Sequence, residues 1–355
     1  MIRVLVDENI PIPDGVRGAA VELTLKAGRD LTSADLEGID ALLVRSVTQV
    51  DQKLLAATPV SFVGSATAGI DHLDVEYLQS AGIAYSYAPG SNAASVVDYV
   101  LCSLAALDMN PQGRSVGIVG CGQVGGRLYR RLQALGCDCY CYDPFLSKAQ
   151  QPDLCDLEQV LKTQILCLHT PLTESGAHPT KNMLSYEQLS KLPQDAVLIN
   201  AGRGGVINEA DLKILALERP DIRLVFDVWQ GEPNIDTELM ELCQIATPHI
   251  AGYATQSKLR GSRMIFDALM EHFKISLTAI SAESSSVSKK IEEQQWNRAL
   301  LEVYDPRADD AKLRANGDAQ GFDQLRKSYV HRYEVAEYQS DNQLLQDFGF
   351  SQPFS

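Results

Sequence analysis

The chain has 355 residues, enough for two or three domains. Its 31 Lys+Arg against 46 Asp+Glu leave a formal charge of −15, which opposes broad binding to nucleic acid or to an anionic membrane surface. Neither is an expected partner. No stretch stays apolar for the roughly 20 residues of a membrane helix, and no signal peptide opens the sequence, so a cytoplasmic location is expected. Eight cysteines are too few for a disulfide scaffold in a chain of this length.

Residues 1 to about 90 alternate short apolar runs with turn-rich segments. Runs at 2–6, 21–25, 41–44, 60–63 and 83–85 read as strands buried on both faces of a parallel sheet, with helical patterns such as 71–80 between them. A long apolar helix follows from Ala93 to about Leu107, capped by Ser91 or Asn92. Asn110-Pro111-Gln112-Gly113 breaks it. A second α/β unit then carries strands at 115–119, 139–142, 165–168, 196–199, 224–227 and 244–247, spaced as parallel crossovers require. Another helix covers roughly 255–276, and a Ser-rich linker lies at 281–288. The remaining tail has a helical stretch at 322–329 and a partly alternating run at 329–338. A segment this small folds alone only marginally, so an apolar face on it calls for a partner chain.

The strongest local motif follows the strand at 115–119. Gly120-Cys121-Gly122-Gln123-Val124-Gly125 has GxGxxG spacing between that strand and a helical stretch that includes 127–135. Gly120 permits a tight turn, Gly122 lets backbone N–H groups reach a pyrophosphate, and Gly125 lets helix and strand approach. Gln123 and Val124 lie in the turn into the helix, whose N-terminus favours an anion. Asp143 comes 18 residues after Gly125, at the end of the next strand. Its carboxylate suits an adenine-side ribose and repels a 2′-phosphate, so the expected cofactor is NAD.

Three later segments sit at predicted C-terminal strand ends, the edge that faces the ligand crevice in such folds. They are Asn200-Ala201-Gly202-Arg203-Gly204-Gly205, Asp227-Val228-Trp229-Gln230-Gly231-Glu232-Pro233 and Thr247-Pro248-His249-Ile250-Ala251-Gly252-Tyr253. They offer a guanidinium, a carboxylate and an imidazole. Oxidising a 2-hydroxy acid removes a hydroxyl proton along with a hydride. Histidine can take that proton, a carboxylate on its far nitrogen stabilises the imidazolium, and arginine grips the substrate carboxylate. Arg45, Ser46 and Thr67 supply further groups suited to a phosphate or to hydroxyls. Cys137, Cys139 and Cys141 alternate on one strand, but no second half of a zinc pattern accompanies them, so they read as buried thiols. His72 is open to two readings, lining the cleft or bracing the fold.

In these motifs and their order the sequence resembles the D-2-hydroxyacid dehydrogenase family over most of residues 1–275. The resemblance implies His249 as acid/base, Glu232 as its partner and Arg203 as the substrate-carboxylate residue. It also implies cofactor contacts from Asp143, Thr170, Ala201, Asp227 and Gly252. Val6-Asp7-Glu8-Asn9, Arg45-Ser46-Val47-Thr48, Thr67-Ala68-Gly69-Ile70-Asp71-His72 and the tail motif Phe322-Asp323-Gln324-Leu325-Arg326-Lys327-Ser328-Tyr329 are similar to one branch of that family. That branch oxidises 4-phospho-D-erythronate at C2 with NAD in pyridoxal phosphate biosynthesis. The branch implies Ser46, Thr67 and Tyr253 as substrate contacts and a homodimer built through the C-terminal domain.

The expected fold is α/β. It comprises a flavodoxin-like substrate-binding lid domain (1–92 plus 253–280), a Rossmann-type doubly wound NAD domain (93–252) and a small α+β C-terminal dimerisation domain (281–355). The active site is expected between the first two. One rival substrate is another D-2-hydroxy acid such as 3-phosphoglycerate. A rival of another class is an NAD-sensing binding protein or corepressor.

Overall fold

The structure, a computed structural model, describes residues 1–16, 20–275 and 289–351. The expected linker at 281–288 lies outside them. The chain divides into two compact units, Met1–Asn92 with Thr255–Ser286, and Ala93–Ala254 with Val287–Ser355. No helix among the described residues is long and apolar enough to cross a membrane.

The first unit has five parallel strands, β1 (Ile2–Asp7), β2 (Val21–Lys26), β3 (Ala41–Val44), β4 (Phe62–Ser65) and β5 (Ala84–Tyr87). Their order is β2-β1-β3-β4-β5, the flavodoxin-like arrangement. Every residue of β3 and β4 is buried, which explains continuous apolar runs rather than alternation. Val4, Val6, Leu43 and Phe62 pack on Ile265, Phe266 and Leu269 of the helix Thr255–His272. Leu5, Leu42, Val44 and Val63 face the other way, onto Leu54, Leu55 and Leu78. Each such side chain, fully buried, contributes roughly 1.5–3 kcal/mol. β4 starts two residues later than the apolar run because its register, Ala41 to Phe62 through Val44 to Ser65, is set by β3.

The second unit carries β6 (Ser115–Val119), β7 (Asp138–Tyr142), β8 (Ile165–Leu168), β9 (Val197–Asn200), β10 (Arg223–Phe226) and β11 (Ile245–Ala246) in the order β11-β10-β9-β8-β6-β7. Beyond β7, Cys141 makes an isolated parallel bridge with Leu154. The sheet is thus the doubly wound Rossmann order with its outermost strand reduced to one bridge. In the helix Ala93–Ala106 every residue except Ala106 is buried, so it is a core helix with no solvent face.

The C-terminal segment differs from expectation in two ways. It is helical, with Trp296–Val303, Arg307–Ala315, Ala319–Lys327 and Gln343–Phe348, and its described residues hold no strand beyond an isolated Lys290–Gln339 bridge. The alternating run 329–338 has no sheet edge to join. It lies as irregular backbone broken by a 3-10 turn at Val335–Glu337, with the Val335 N–H donating to Asp98 Oδ2 at 2.9 Å. The segment also does not stand apart as a compact body. Leu300, Val335, Phe348 and Phe350 enter one core with Val96, Val100 and Leu128, while Leu313 and Phe322 enter another with Leu224, Phe226 and Leu239. These apolar residues are therefore covered by the chain's own second unit.

Candidate active site

β6 runs directly into the glycine loop. Gly120 has φ +86°, a left-handed conformation that glycine adopts without strain. A Cβ on Gly125 would stand 1.9 Å from the Gly120 carbonyl oxygen, so the helix Gln123–Ala134 meets the strand end only because that position has no side chain. A Cβ on Gly122 would meet nothing within 4 Å; the space above the loop is open. Gly122 is the N-cap and supplies no side-chain cap, which leaves the first-turn N–H groups uncapped by a side chain.

Thr170 Oγ1 and both ring nitrogens of His169 are buried beside the loop with no hydrogen-bond partner among the described residues. Burial pushes the His169 imidazole down to about 4, so it is neutral at physiological pH. Uncapped backbone donors, a loop surface that no side chain fills and orphaned polar atoms fit an anionic dinucleotide. Asp143 ends β7 as expected, and it also braces the loop: Oδ2 accepts the Cys121 N–H and Oδ1 the Phe145 N–H, each at 3.0 Å. Gln123 is exposed and Val124 half-buried at the helix start, and Ala201 lies just past the end of β9.

Glu232 and His249 meet. Glu232 Oε2 lies 2.8 Å from His249 Nδ1, and Oε1 accepts the Trp229 N–H at 2.9 Å. With Nδ1 donating to a carboxylate, Nε2 presents its lone pair. Burial opposes ionisation of Glu232, but His249, Arg326 and the Trp229 N–H outweigh it and hold the carboxyl below its usual range. Arg203 follows β9, the neighbour of β10, with Nη1 donating to the Gly202 carbonyl at 2.9 Å.

His249 itself has φ +54°, a conformation costing about 1–3 kcal/mol that the surroundings must over-determine. The means are visible. Its N–H donates to the Asp227 carbonyl at 2.7 Å. The Asp227 carboxylate accepts from Thr247 Oγ1 (2.7 Å), Ile250 N (2.8 Å) and Ala251 N (2.9 Å). Trp229 Nε1 donates to the Thr247 carbonyl at 3.0 Å. Asp227, implied as a cofactor contact, is thus 1% exposed and turned onto the His249 loop. Gly252 and Tyr253 close the same loop, half-buried.

Two arginines of the C-terminal segment reach this loop, and sequence reasoning gave neither a role. Arg326 Nε donates to Tyr253 Oη at 3.2 Å, and its Nη1 lies 4.0 Å from Glu232 Oε2. Arg332 donates to the Ala251 carbonyl. The available signal was helical spacing: Arg326 is four residues after Phe322, on the face that enters the core.

In the first unit, Arg45 and Ser46 follow β3 and Thr67 follows β4, so adjacent strands bring them to one sheet edge. Arg45 Nε donates to the buried Asp7 at 2.9 Å, where β1 and β3 flank the topological switch point. Ser46 is exposed. Thr67 donates to the Gly69 carbonyl at 3.0 Å. His72 is 6% exposed and its Nε2 lies 2.8 Å from Ser65 Oγ, a bracing position.

The D-isomer specific 2-hydroxyacid dehydrogenase NAD-binding domain matches residues 103–251, and a domain of unknown function matches residues 277–348. Solved structures share the fold: 3-phosphoglycerate dehydrogenase of Entamoeba histolytica (TM-score 0.67, 22% identity, 77% of this chain and 95% of that one) and D-lactate dehydrogenase of Aquifex aeolicus (0.63, 20%, 76% and 95%). Erythronate-4-phosphate dehydrogenase of Teredinibacter turnerae is 44% identical over 95% of this chain and 94% of its own, and that of Cellvibrio japonicus 42% over the same shares. The chain therefore belongs to the erythronate-4-phosphate dehydrogenase family, an NAD-dependent branch of the D-isomer specific 2-hydroxyacid dehydrogenases.

Proposed function

We propose that this chain oxidises 4-phospho-D-erythronate at C2 to 2-oxo-3-hydroxy-4-phosphobutanoate, in pyridoxal phosphate biosynthesis. The observation that carries the reading is the 2.8 Å Glu232–His249 pair, at the same edge of the parallel sheet as an open glycine loop, in a chain whose relatives bear that activity in their names. NAD bound at the glycine loop and the strand ends around Asp143, Thr170, Ala201 and Gly252 supplies the hydride acceptor. His249 Nε2 takes the 2-hydroxyl proton, and Glu232 stabilises the imidazolium that results. Arg203 grips the substrate carboxylate and polarises the forming carbonyl. Arg45, Ser46, Thr67 and Tyr253 belong to the same proposal as substrate contacts, resting on family resemblance and donor chemistry. The homodimer is part of it on the same resemblance. A cytoplasmic site is favoured by eight cysteines that are all free thiols.

The test compares 4-phospho-D-erythronate with 3-phosphoglycerate, following nicotinamide absorbance and assaying product directly. A small 2-oxo acid is supplied in one arm as acceptor. Product from the erythronate substrate, lost in His249→Ala while NAD still binds, is expected. Turnover of phosphoglycerate alone overturns the substrate, and undiminished turnover by His249→Ala overturns the acid/base role.

A further inference from the structure

Arg326 stands in the segment matched by the domain of unknown function, yet it reaches the acid/base pair. Its side chain is only 15% exposed. Long cationic side chains are seldom buried without a partner that uses the charge. The helix Ala319–Lys327 fixes its position, because Phe322 on the same face is fully buried. From there Nε reaches Tyr253 Oη at 3.2 Å, and the guanidinium carbon lies 5.8 Å from the Tyr253 ring centre.

The 4.0 Å gap to Glu232 Oε2 is longer than a hydrogen bond. Both Glu232 oxygens are already taken, by His249 Nδ1 and by the Trp229 N–H. Arg326 therefore acts on Glu232 by charge across a short, mostly dry distance. That charge has something to offset. Asp227 and Glu232 both interact electrostatically with His249, and Glu209 adds a third carboxylate that interacts with Glu232. Carboxylates beside an imidazole favour its charged form, and a cation beside those carboxylates offsets them. On the other side of the balance stands Arg326, whose charge acts on Glu232.

We infer that Arg326 is a positioning residue: through Glu232 it keeps His249 in its base form, and through the Tyr253 hydroxyl it orients the substrate. The inference rests on the acid/base role of His249 proposed above, and it gives the C-terminal segment a part in the chemistry.

The test uses full-length wild type, Arg326→Gln and Arg326→Lys, with melting temperature and NAD binding as controls of fold. The first readout is the imidazole titration of His249 by NMR, assigned with His249→Gln, which needs no substrate. In Arg326→Gln the His249 midpoint should rise by about one pH unit, the scale of a lost neighbouring charge. The acid limb of kcat/KM for 4-phospho-D-erythronate should move with it. Arg326→Lys should return the midpoint to within a few tenths of a unit of wild type, yet keep a raised KM like that of Tyr253→Phe. A folded Arg326→Gln with an unmoved midpoint overturns the inference. If the glutamine variant does not fold, the lysine variant decides: a wild-type midpoint with raised KM supports the inference, and a wild-type KM overturns the Tyr253 arm. A shifted midpoint in a chain that never oxidises the phosphoerythronate would uphold the electrostatic link and overturn the substrate.

Discussion

The Glu232 carboxylate touches His249 through Nδ1 at 2.8 Å, and the backbone that carries His249 is itself tied to the Asp227 carbonyl at 2.7 Å. The ring is thus aimed from two sides while Nε2 stays available. Glu232→Gln keeps the shape and removes the charge that stabilises the imidazolium. We expect kcat to fall by about 100- to 10,000-fold, the usual worth of acid/base catalysis, with NAD affinity within a factor of a few. Pre-steady-state hydride transfer, read at the nicotinamide absorbance, measures it. A wild-type rate would show that the pair is structural only.

Two glycines of the loop should respond differently to alanine. In Gly125→Ala the new methyl collides with the Gly120 carbonyl oxygen, and we expect a loss of about 1–3 kcal/mol in stability together with lost NAD binding. In Gly122→Ala the methyl enters open space, so the melting temperature should hold while NAD affinity drops. Isothermal titration beside thermal melts separates the two. Unchanged NAD affinity in folded Gly122→Ala would mean that the cradle is not where the cofactor lies.

Asp98 is buried beneath the C-terminal segment, and burial, together with the nearby Glu334, pushes its carboxyl up to about 7. An unfolded aspartate titrates near 3.9. The folded state therefore binds the proton more tightly, so this group's contribution falls as pH rises from about 4 and levels off above about 7. Wild-type melting temperature should decline across that window through this residue. Asp98→Asn keeps an acceptor for the Val335 N–H and should flatten the slope between pH 5 and 7. An equal slope in both proteins would contradict the assignment.

Arg45 and Ser46 are neighbours with different duties. Asp7 is fully buried and its Oδ2 has no partner among the described residues, so Arg45→Ala leaves a buried carboxylate without its cation, held by the Asn9 N–H groups alone. Breaking such a pair costs about 3–5 kcal/mol, and Asp7→Asn in the same chain should recover much of it. Ser46→Ala, at an exposed position, should leave urea unfolding unchanged and act on KM alone. An Arg45→Ala protein of wild-type stability would show the pair to be incidental.

Much of this was legible in the sequence because it depends on backbone geometry. Buried parallel strands must be apolar at every position, which made runs such as 115–119 and 165–168 plain, and the glycine spacing follows from close contacts. The joint placement of Glu232 and His249 could be anticipated from strand-end position and family resemblance. What resisted reading depends on contacts far apart in the chain. Arg326 meets Tyr253 across 73 residues, and Arg332 meets Ala251 across 81. No local pattern encodes them. The inward turn of Asp227 was hidden for a related reason: an acid at a strand end looks the same whether it faces a ligand or its own loop. The alternation at 329–338 suggested a strand, but a strand needs an edge, and none is offered there.

Neither unit is written as one stretch of sequence. The first needs Ile265, Phe266 and Leu269 to cover β1, β3 and β4, and the second needs Leu300, Phe348 and Phe350 to close around the helix Ala93–Ala106. During synthesis, then, the order of emergence and the order of completion part company. One face of the sheet in the opening 92 residues waits uncovered until a helix more than 150 residues later is made, and the glycine loop waits for Phe350 before its unit has a finished core. Vectorial folding from the N-terminus, the usual route for a chain of successive domains, is closed to this one, and both units mature late.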